Sequence, residues 1–277
     1  MSAAVFLELV EMKAKTASVL PFLIGVCFSW YYYGSLHLGY LVIYFIAMFI
    51  FNMAVDILDN YNDYRHAKKG HDYKEKTNII GRENLSLSFI FKLMVTMIVI
   101  SAAIGIFLAI IVGWPLLWMG LFCYLVGIFY SSGPRPLSSL PVGELFSGVT
   151  MGFMISLICV YINTFEVFQW EFSNILGIVI IALPNTMWIA NLMLANNTCD
   201  KAEDEKNARY TLVHYIGKKN ALRLFVFINV LAFVAIIASY CLNLAPWTIL
   251  LSLLTVPFIY QEIKKFLHQQ IKSQTFS

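Results

Sequence analysis

The chain has 277 residues, of which 60% are apolar and 16% aromatic, while only 13% are charged. That charged share is about half of what a soluble globular domain carries. With a mean hydropathy of +0.73, the composition excludes a water-soluble enzyme. It also excludes a disordered chain, which needs low hydrophobicity and high charge. The net charge of +3 says little until it is placed along the chain.

A membrane helix needs roughly 20 mostly apolar residues to cross about 30 Å of hydrocarbon. No Asp, Glu, Lys or Arg occurs in 16–55, 93–134, 145–165, 172–199 or 224–261. Breaks at Tyr31 to His37, at Gly113-Trp114-Pro115 and at Leu242 to Pro246 fold three of these runs double, since Gly, Pro and polar clusters mark turns. The expected spans are 16–33, 38–60, 90–112, 114–131, 140–162, 173–196, 221–241 and 245–262. This predicts an all-α integral membrane protein of about eight transmembrane helices, one polytopic domain over 1–277. Its two four-helix halves, about 16–131 and 140–262, would enclose a central cavity.

Glu8 and Glu11 precede the first apolar run and no small-residue cleavage site follows it, so span one is expected to stay rather than be removed as a signal peptide. The longest polar loops are too short to bury a core of their own. Under this threading all 19 Lys and Arg residues fall on one side of the membrane, and the opposite connections carry only Glu166 and Glu171. The positive-inside rule then places both termini and the polar loops in the cytoplasm, in the cell membrane. The five cysteines include no CxxC or Cys/His metal spacing and read as small buried hydrophobes.

The aspartates fall in two stretches. The first, Asn52-Met-Ala-Val-Asp56-Ile-Leu-Asp59-Asn60-Tyr-Asn62-Asp63, ends span two and enters a loop that also holds Asp72. The second, Asn196-Asn197-Thr-Cys-Asp200-Lys-Ala-Glu-Asp204, ends span six. Spacings of three and four put Asn52, Asp56, Asp59 and Asp63 along one helical face, and likewise Asn196, Asp200 and Asp204. Like charges so placed repel, and carboxylates near hydrocarbon are costly, so a cation is expected between them. Oxygen donors without His or Cys favour a hard ion, and Mg²⁺ takes one or two carboxylates with waters and phosphate oxygens. Each Asp-rich loop also carries Lys and Arg, which suit a diphosphate. The bland account, solvated loop acids beside basic topology determinants, does not explain the repetition: Asn52-x-x-x-Asp56 recurs as Asn196-x-x-x-Asp200. A parallel pseudo-repeat would turn the two clusters toward one cavity.

At these residues the sequence resembles the UbiA superfamily of intramembrane aromatic prenyltransferases, through Asp56-x-x-Asp59-x-x-x-Asp63 and Asp200-x-x-x-Asp204. The branch that prenylates 1,4-dihydroxy-2-naphthoate, the MenA type, looks most similar. Three stretches carry that likeness: Asp63-Tyr64 with Lys69-Gly70-His71-Asp72; Tyr130-Ser-Ser-Gly133-Pro134-Arg135-Pro136 with Gly143-Glu144; and Asn196-Asn197-x-x-Asp200-x-x-x-Asp204 leading into Arg209-Tyr210-Thr211-Leu212-Val213 and Gly217. Val55 stands where the first signature commonly has Asn, a role open to Asn60, Asn62 or Asn52, and Ala208 where the branch commonly has Gly. The family generally has nine spans, so the resemblance implies that a ninth helix is missing here.

The resemblance implies transfer of a polyprenyl group from polyprenyl diphosphate to 1,4-dihydroxy-2-naphthoate, with loss of diphosphate and CO₂, giving a demethylmenaquinone. Asp56, Asp59, Asp63, Asp200 and Asp204 would hold Mg²⁺ against the leaving diphosphate, with Asn52 and Asn196 adding amide ligands or hydrogen bonds. Lys69, Arg135 and Arg209 would contact phosphate or acceptor, although any cytoplasmic basic residue also serves topology. Tyr130 would orient the acceptor or face the allylic cation, and Glu144 is a further acceptor-side residue. Besides these substrates and membrane lipid, no nucleic acid and no obligate protein partner is expected. A secondary transporter would need ionisable residues near the bilayer midplane, where this sequence has none. Other acceptors, 4-hydroxybenzoate or haem, and a non-catalytic truncated relative are the alternatives.

Overall fold

The computed structural model describes residues 1–66 and 77–272. Among them there are helices and no strands. In chain order the α-helices are α1 (Ala3–Leu9), α2 (Thr16–Phe28), α3 (Leu38–His66), α4 (Ile79–Arg82), α5 (Leu87–Val112), α6 (Trp114–Ser131), α7 (Gly143–Ser147), α8 (Ile155–Thr164), α9 (Phe172–Lys206), α10 (Leu212–Cys241) and α11 (Val256–His268). A π-helical turn, Ser29–Tyr33, extends α2, and another, Gly148–Met154, joins α7 to α8 into one rod.

Seven helical stretches of the described residues are long and apolar enough to cross a membrane: Met12–Tyr33, Leu38–Arg65, Leu87–Val112, Trp114–Ser131, Gly143–Thr164, Phe172–Lys206 and Leu212–Cys241. They coincide with the first seven expected spans. The eighth, at 245–262, differs: it is a 3₁₀ helix, Trp247–Thr255, followed by α11. Pro246 precedes the first piece and Pro257 opens the second, and a proline interrupts an α-helix while suiting its first turn. At rises of about 2.0 and 1.5 Å per residue the pieces reach only about 18 and 20 Å.

The breaks follow from backbone chemistry. Gly113 holds φ 110° between α5 and α6, a conformation that glycine alone adopts without cost, and Pro115 sits in the first turn of α6. α3 has 29 residues and α9 has 35, so at 1.5 Å each they extend about 43 and 52 Å, well past a hydrocarbon core of about 30 Å. Their acidic ends therefore project beyond the apolar layer.

The helices form two compact units, residues 1–19 with 37–136 and residues 20–36 with 137–277. In the first, α1 folds back so that Leu9 and Val10 join Ala54, Ile57, Ile79, Ile80 and Ile90 in a closed core. Arg82 clamps it by donating to both carboxylate oxygens of Glu8 at 2.8 Å, and the Asn60 amide donates to the Leu9 carbonyl at 3.3 Å.

In the second unit, every residue of α8 is buried. The rod packs on α9 through Gly148-x-x-x-Gly152: a Cβ at Gly152 would lie 2.4 Å from Thr186 Cα, and one at Gly148 2.6 Å from the Thr186 carbonyl oxygen. Small residues four apart are how membrane helices bring their backbones together. Gly152→Val is expected to cost about 3 kcal/mol, since neither backbone can give way without opening the interface. The check is thermal unfolding in detergent, and an unchanged midpoint would contradict this packing.

Candidate active site

The first acidic cluster occupies the last turns of α3. At 100° per residue, Asn52, Asp56, Asp59 and Asp63 fall within a band of about 60°, and all four are half-buried. The repulsion expected between these acids is met by a lysine from the start of span one. Lys15, only 4% exposed, donates Nζ to Asp56 Oδ2 and to the Asn52 carbonyl at 3.4 Å. Lys15 reads in the sequence only as a topology determinant. Its position immediately before a charge-free run is the signal that it is drawn into the helix packing.

The neighbouring amides do structural work. Asn60 donates to the Leu9 and Asp56 carbonyls. Asn62 donates to the Ser131 carbonyl at 3.0 Å and to Ser132 Oγ at 2.9 Å. This second pair fastens the segment bearing Tyr130 and Arg135 to the end of α3, one residue from Asp63. Tyr130 is half-buried on the last turn of α6, and Arg135 is exposed in the loop beyond it. Lys69 lies outside the described residues.

The second cluster occupies the last turns of α9. Asp200 Oδ2 meets Lys272 Nζ at 2.7 Å. Asp204, 6% exposed, has Oδ1 3.3 Å from Arg209 Nε. The Arg209 amide caps the helix by donating to the Asp204 carbonyl at 2.9 Å, and its Nη2 reaches the Ser138 carbonyl at 3.5 Å. The turn that returns Arg209 onto Asp204 requires Ala208 at φ 56°. That left-handed conformation costs an alanine about 1 kcal/mol and a glycine nothing, which explains why glycine suits this position.

Asn196 is half-buried, whereas Asn197, the adjacent amide, is buried and donates Nδ2 to Glu144 Oε1 at 2.8 Å. The pairing of Asn197 with Glu144, and of Lys272 with Asp200, spans 53 and 72 positions; local spacing carries no trace of either.

No three His, Cys, Asp or Glu side chains gather as a metal cage among the described residues. What the two clusters offer is pairs of carboxylates one helical turn apart, and Asp204 Oδ2 is buried without a hydrogen-bond partner. An incomplete oxygen set of this kind fits an ion that keeps waters and takes phosphate oxygens, as Mg²⁺ does. It does not fit one that demands an all-protein shell. A guanidinium beside the open carboxylate oxygen adds a planar anion binder. Chemically, the end of this helix offers oxygen donors suited to a hard cation beside a guanidinium suited to a phosphate.

Comparison with known proteins agrees with this reading of the fold. The sequence matches the UbiA prenyltransferase family over residues 18–276. It is 28% identical over 268 residues to the 1,4-dihydroxy-2-naphthoate octaprenyltransferase of Bacillus subtilis (strain 168), covering 95% of this chain and 82% of that one. Among solved structures, a UbiA homologue from Aeropyrum pernix K1 superposes with a TM-score of 0.73 at 17% identity, over 94% of this chain and 91% of that one. A UbiA homologue from Archaeoglobus fulgidus, bound to DMAPP and Mg²⁺, superposes with a TM-score of 0.66 at 13% identity, over 93% and 85%. With its helices of membrane length, its two acidic helix ends and a family match along almost its whole length, this chain belongs to the UbiA prenyltransferase family of multi-pass membrane transferases.

Proposed function

We propose that this prenyltransferase moves a polyprenyl group from polyprenyl diphosphate to 1,4-dihydroxy-2-naphthoate, releasing diphosphate and CO₂ and giving a prenylated naphthohydroquinone, which becomes a demethylmenaquinone on oxidation, for menaquinone biosynthesis. The observation that carries the chemistry is the buried, unpartnered oxygen of Asp204 beside the guanidinium of Arg209. The choice of acceptor is supported by the likeness to the Bacillus enzyme along 95% of the chain.

The hard step is heterolysis of an allylic C–O bond. We assign Mg²⁺ to Asp56, Asp59 and Asp63 of the first unit and to Asp200 and Asp204 of the second. Bound at these carboxylates, Mg²⁺ ions would neutralise charge developing on the leaving diphosphate. Arg209, with its fork of donors, holds phosphate oxygens and keeps them from rotating as the bond lengthens. Lys69 and Arg135 add positive charge to the same task. Asn52 and Asn196 supply amide oxygens or hydrogen bonds that cost no charge repulsion. Tyr130 presents a ring face, which attracts the electron-poor allylic carbon.

The acceptor is tested by incubating the purified chain with polyprenyl diphosphate and, in turn, 1,4-dihydroxy-2-naphthoate, 4-hydroxybenzoate and haem. Prenylated naphthohydroquinone, or the quinone it becomes in air, as the dominant product supports the proposal; faster turnover of either other acceptor replaces it. We also propose that both acidic helix ends face the cytoplasm, as the charge distribution requires. Glu83, exposed in the connection between α3 and α5, provides the test. In a chain whose native cysteines are replaced, Glu83→Cys is expected to react with an impermeant thiol reagent only from the cytoplasmic side. Labelling from outside would invert the topology.

A further inference from the structure

Glu144 and Asp204 are the buried acids among the described residues, and Glu144 is 5% exposed. Its Oε1 accepts the hydrogen bond from Asn197, itself 4% exposed, at 2.8 Å. Its Oε2 is buried and has no hydrogen-bond partner. The position is held firmly. A Cβ at Gly143 would meet the Leu137 carbonyl at 2.9 Å, so the chain turns tightly into α7, and the Gly148 and Gly152 contacts seat the rod on α9 just beyond.

Asn197 lies three residues before Asp200 and seven before Asp204. On an α-helix these offsets fall within about 60° of one face and span about 4.5 and 10.5 Å of rise. Glu144 thus stands at the inner end of the column whose outer end carries the proposed diphosphate ligands.

A carboxylate oxygen buried without a partner costs roughly 1–3 kcal/mol or more. Buried polar groups are otherwise almost always satisfied, so an orphaned carboxylate oxygen is a place where a water, an ion or a ligand group completes the bonding, and its position on the column of Asp200 and Asp204 is what points to a ligand. The missing partner is a donor, because the oxygen can only accept. A prenyl diphosphate bound as an anion has no O–H to donate, and its hydrocarbon tail has no donor at all, so it does not supply the missing bond. A hydroxylated aromatic ring carries the O–H that fits.

Resting on the aromatic prenyl transfer proposed above, we infer that Glu144 is a catalytic residue for the acceptor: its Oε2 accepts the hydrogen bond of a ring hydroxyl and takes that proton during alkylation. As the ring carbon forms its bond to the allylic carbon, the C–O bond to diphosphate breaks and the electron pair leaves with diphosphate. The hydroxyl proton passes to Glu144 and the ring oxygen becomes a carbonyl. When the bond to the carboxylate breaks and CO₂ departs, its electron pair restores the aromatic ring, and the carbonyl oxygen takes the proton back. Asn197 acts as a positioning residue, fixing the carboxylate by its other oxygen.

The test is titration calorimetry of 1,4-dihydroxy-2-naphthoate into the purified full chain, together with steady-state kinetics in each substrate, for wild type, Glu144→Gln and Asn197→Ala. Glu144→Gln is expected to weaken acceptor binding about tenfold and to lower kcat/KM for the acceptor about 10²-fold, as loss of a charge-assisted bond and a proton acceptor requires. KM for polyprenyl diphosphate stays within about twofold, since uniform binding of the donor is untouched. Asn197→Ala is expected to show the same signature at about a tenfold loss in kcat/KM for the acceptor, with KM for polyprenyl diphosphate again unchanged. Wild-type behaviour of Glu144→Gln alongside an active wild type overturns the role of Glu144 and leaves the transferase reading intact. Equal loss toward both substrates, with a lowered unfolding midpoint in both variants, reduces the pair to a structural contact and also overturns it. A wild type that neither binds nor prenylates any hydroxylated aromatic overturns the reading beneath it, and this proposal with it.

Discussion

Asp200→Ala is expected to lower kcat/KM for prenyl transfer by at least about 10³-fold while leaving membrane insertion intact, and Asp56→Ala to lose as much activity together with stability, because it strands the buried Lys15. The size follows from where the charge develops. Departure of diphosphate concentrates negative charge on oxygen at the edge of a low-dielectric layer, where each preorganised counter-charge is worth more than in water. The specificity of the effect follows from position. Asp200 is half-buried at the end of α9 and pairs with the exposed Lys272, so its truncation leaves the helical packing in place. Quantitative product analysis on reconstituted protein, with the level in the membrane measured by immunoblot, provides the check. Full activity in either variant would remove that cluster from the machinery.

Lys15→Met carries the second large effect, on stability rather than chemistry. Lys15 is buried with its ammonium on Asp56, and removing one partner of such a pair leaves the other charge without compensation, at a cost of about 3 kcal/mol. The unfolding midpoint in detergent should fall by several degrees. Two features distinguish this from a simple packing loss. Asp56→Asn in the same background should recover most of the loss, because the stranded charge is gone. Added Mg²⁺ should stabilise Lys15→Met more than wild type, because the ion no longer competes with the lysine for Asp56. A Lys15→Met chain as stable as wild type, with or without the ion, would show that the pair does not matter.

Most membrane helices were legible because hydrocarbon imposes a length and forbids charge, and Gly113 and Pro115 mark a break by their backbone chemistry alone. The elements that escaped are those held by tertiary packing. α1 has seven residues, too few to announce a span, and it becomes a helix because Leu9 and Val10 close the core over Ile57. α10 starts at Leu212, before the expected 221, but Gly217, at φ 75° and ψ 155°, breaks it there, so a short helical turn precedes the long helix, which begins with Lys218 and Lys219, residues that read as loop in the sequence.

The acidic residues were visible from their spacing, but their partners were not. Lys15, Lys272 and Asn197 join the clusters through contacts 41, 72 and 53 positions away in sequence, which no periodicity encodes. Ala208 shows the reverse case. A departure from the family pattern, visible in the sequence, becomes intelligible once its backbone is seen at φ 56°.

The central claim is that the acidic helix ends hold a divalent ion against a prenyl diphosphate. It is tested most directly by single-turnover transfer from polyprenyl diphosphate to 1,4-dihydroxy-2-naphthoate by the purified chain. The reaction is run after chelation and again after Mg²⁺ is restored, in wild type and Asp200→Ala. The account predicts prenylated product from wild type only when Mg²⁺ is present, and none from Asp200→Ala at any Mg²⁺ concentration. Undiminished transfer by the chelated wild type, or transfer by Asp200→Ala equal to wild type, would contradict it.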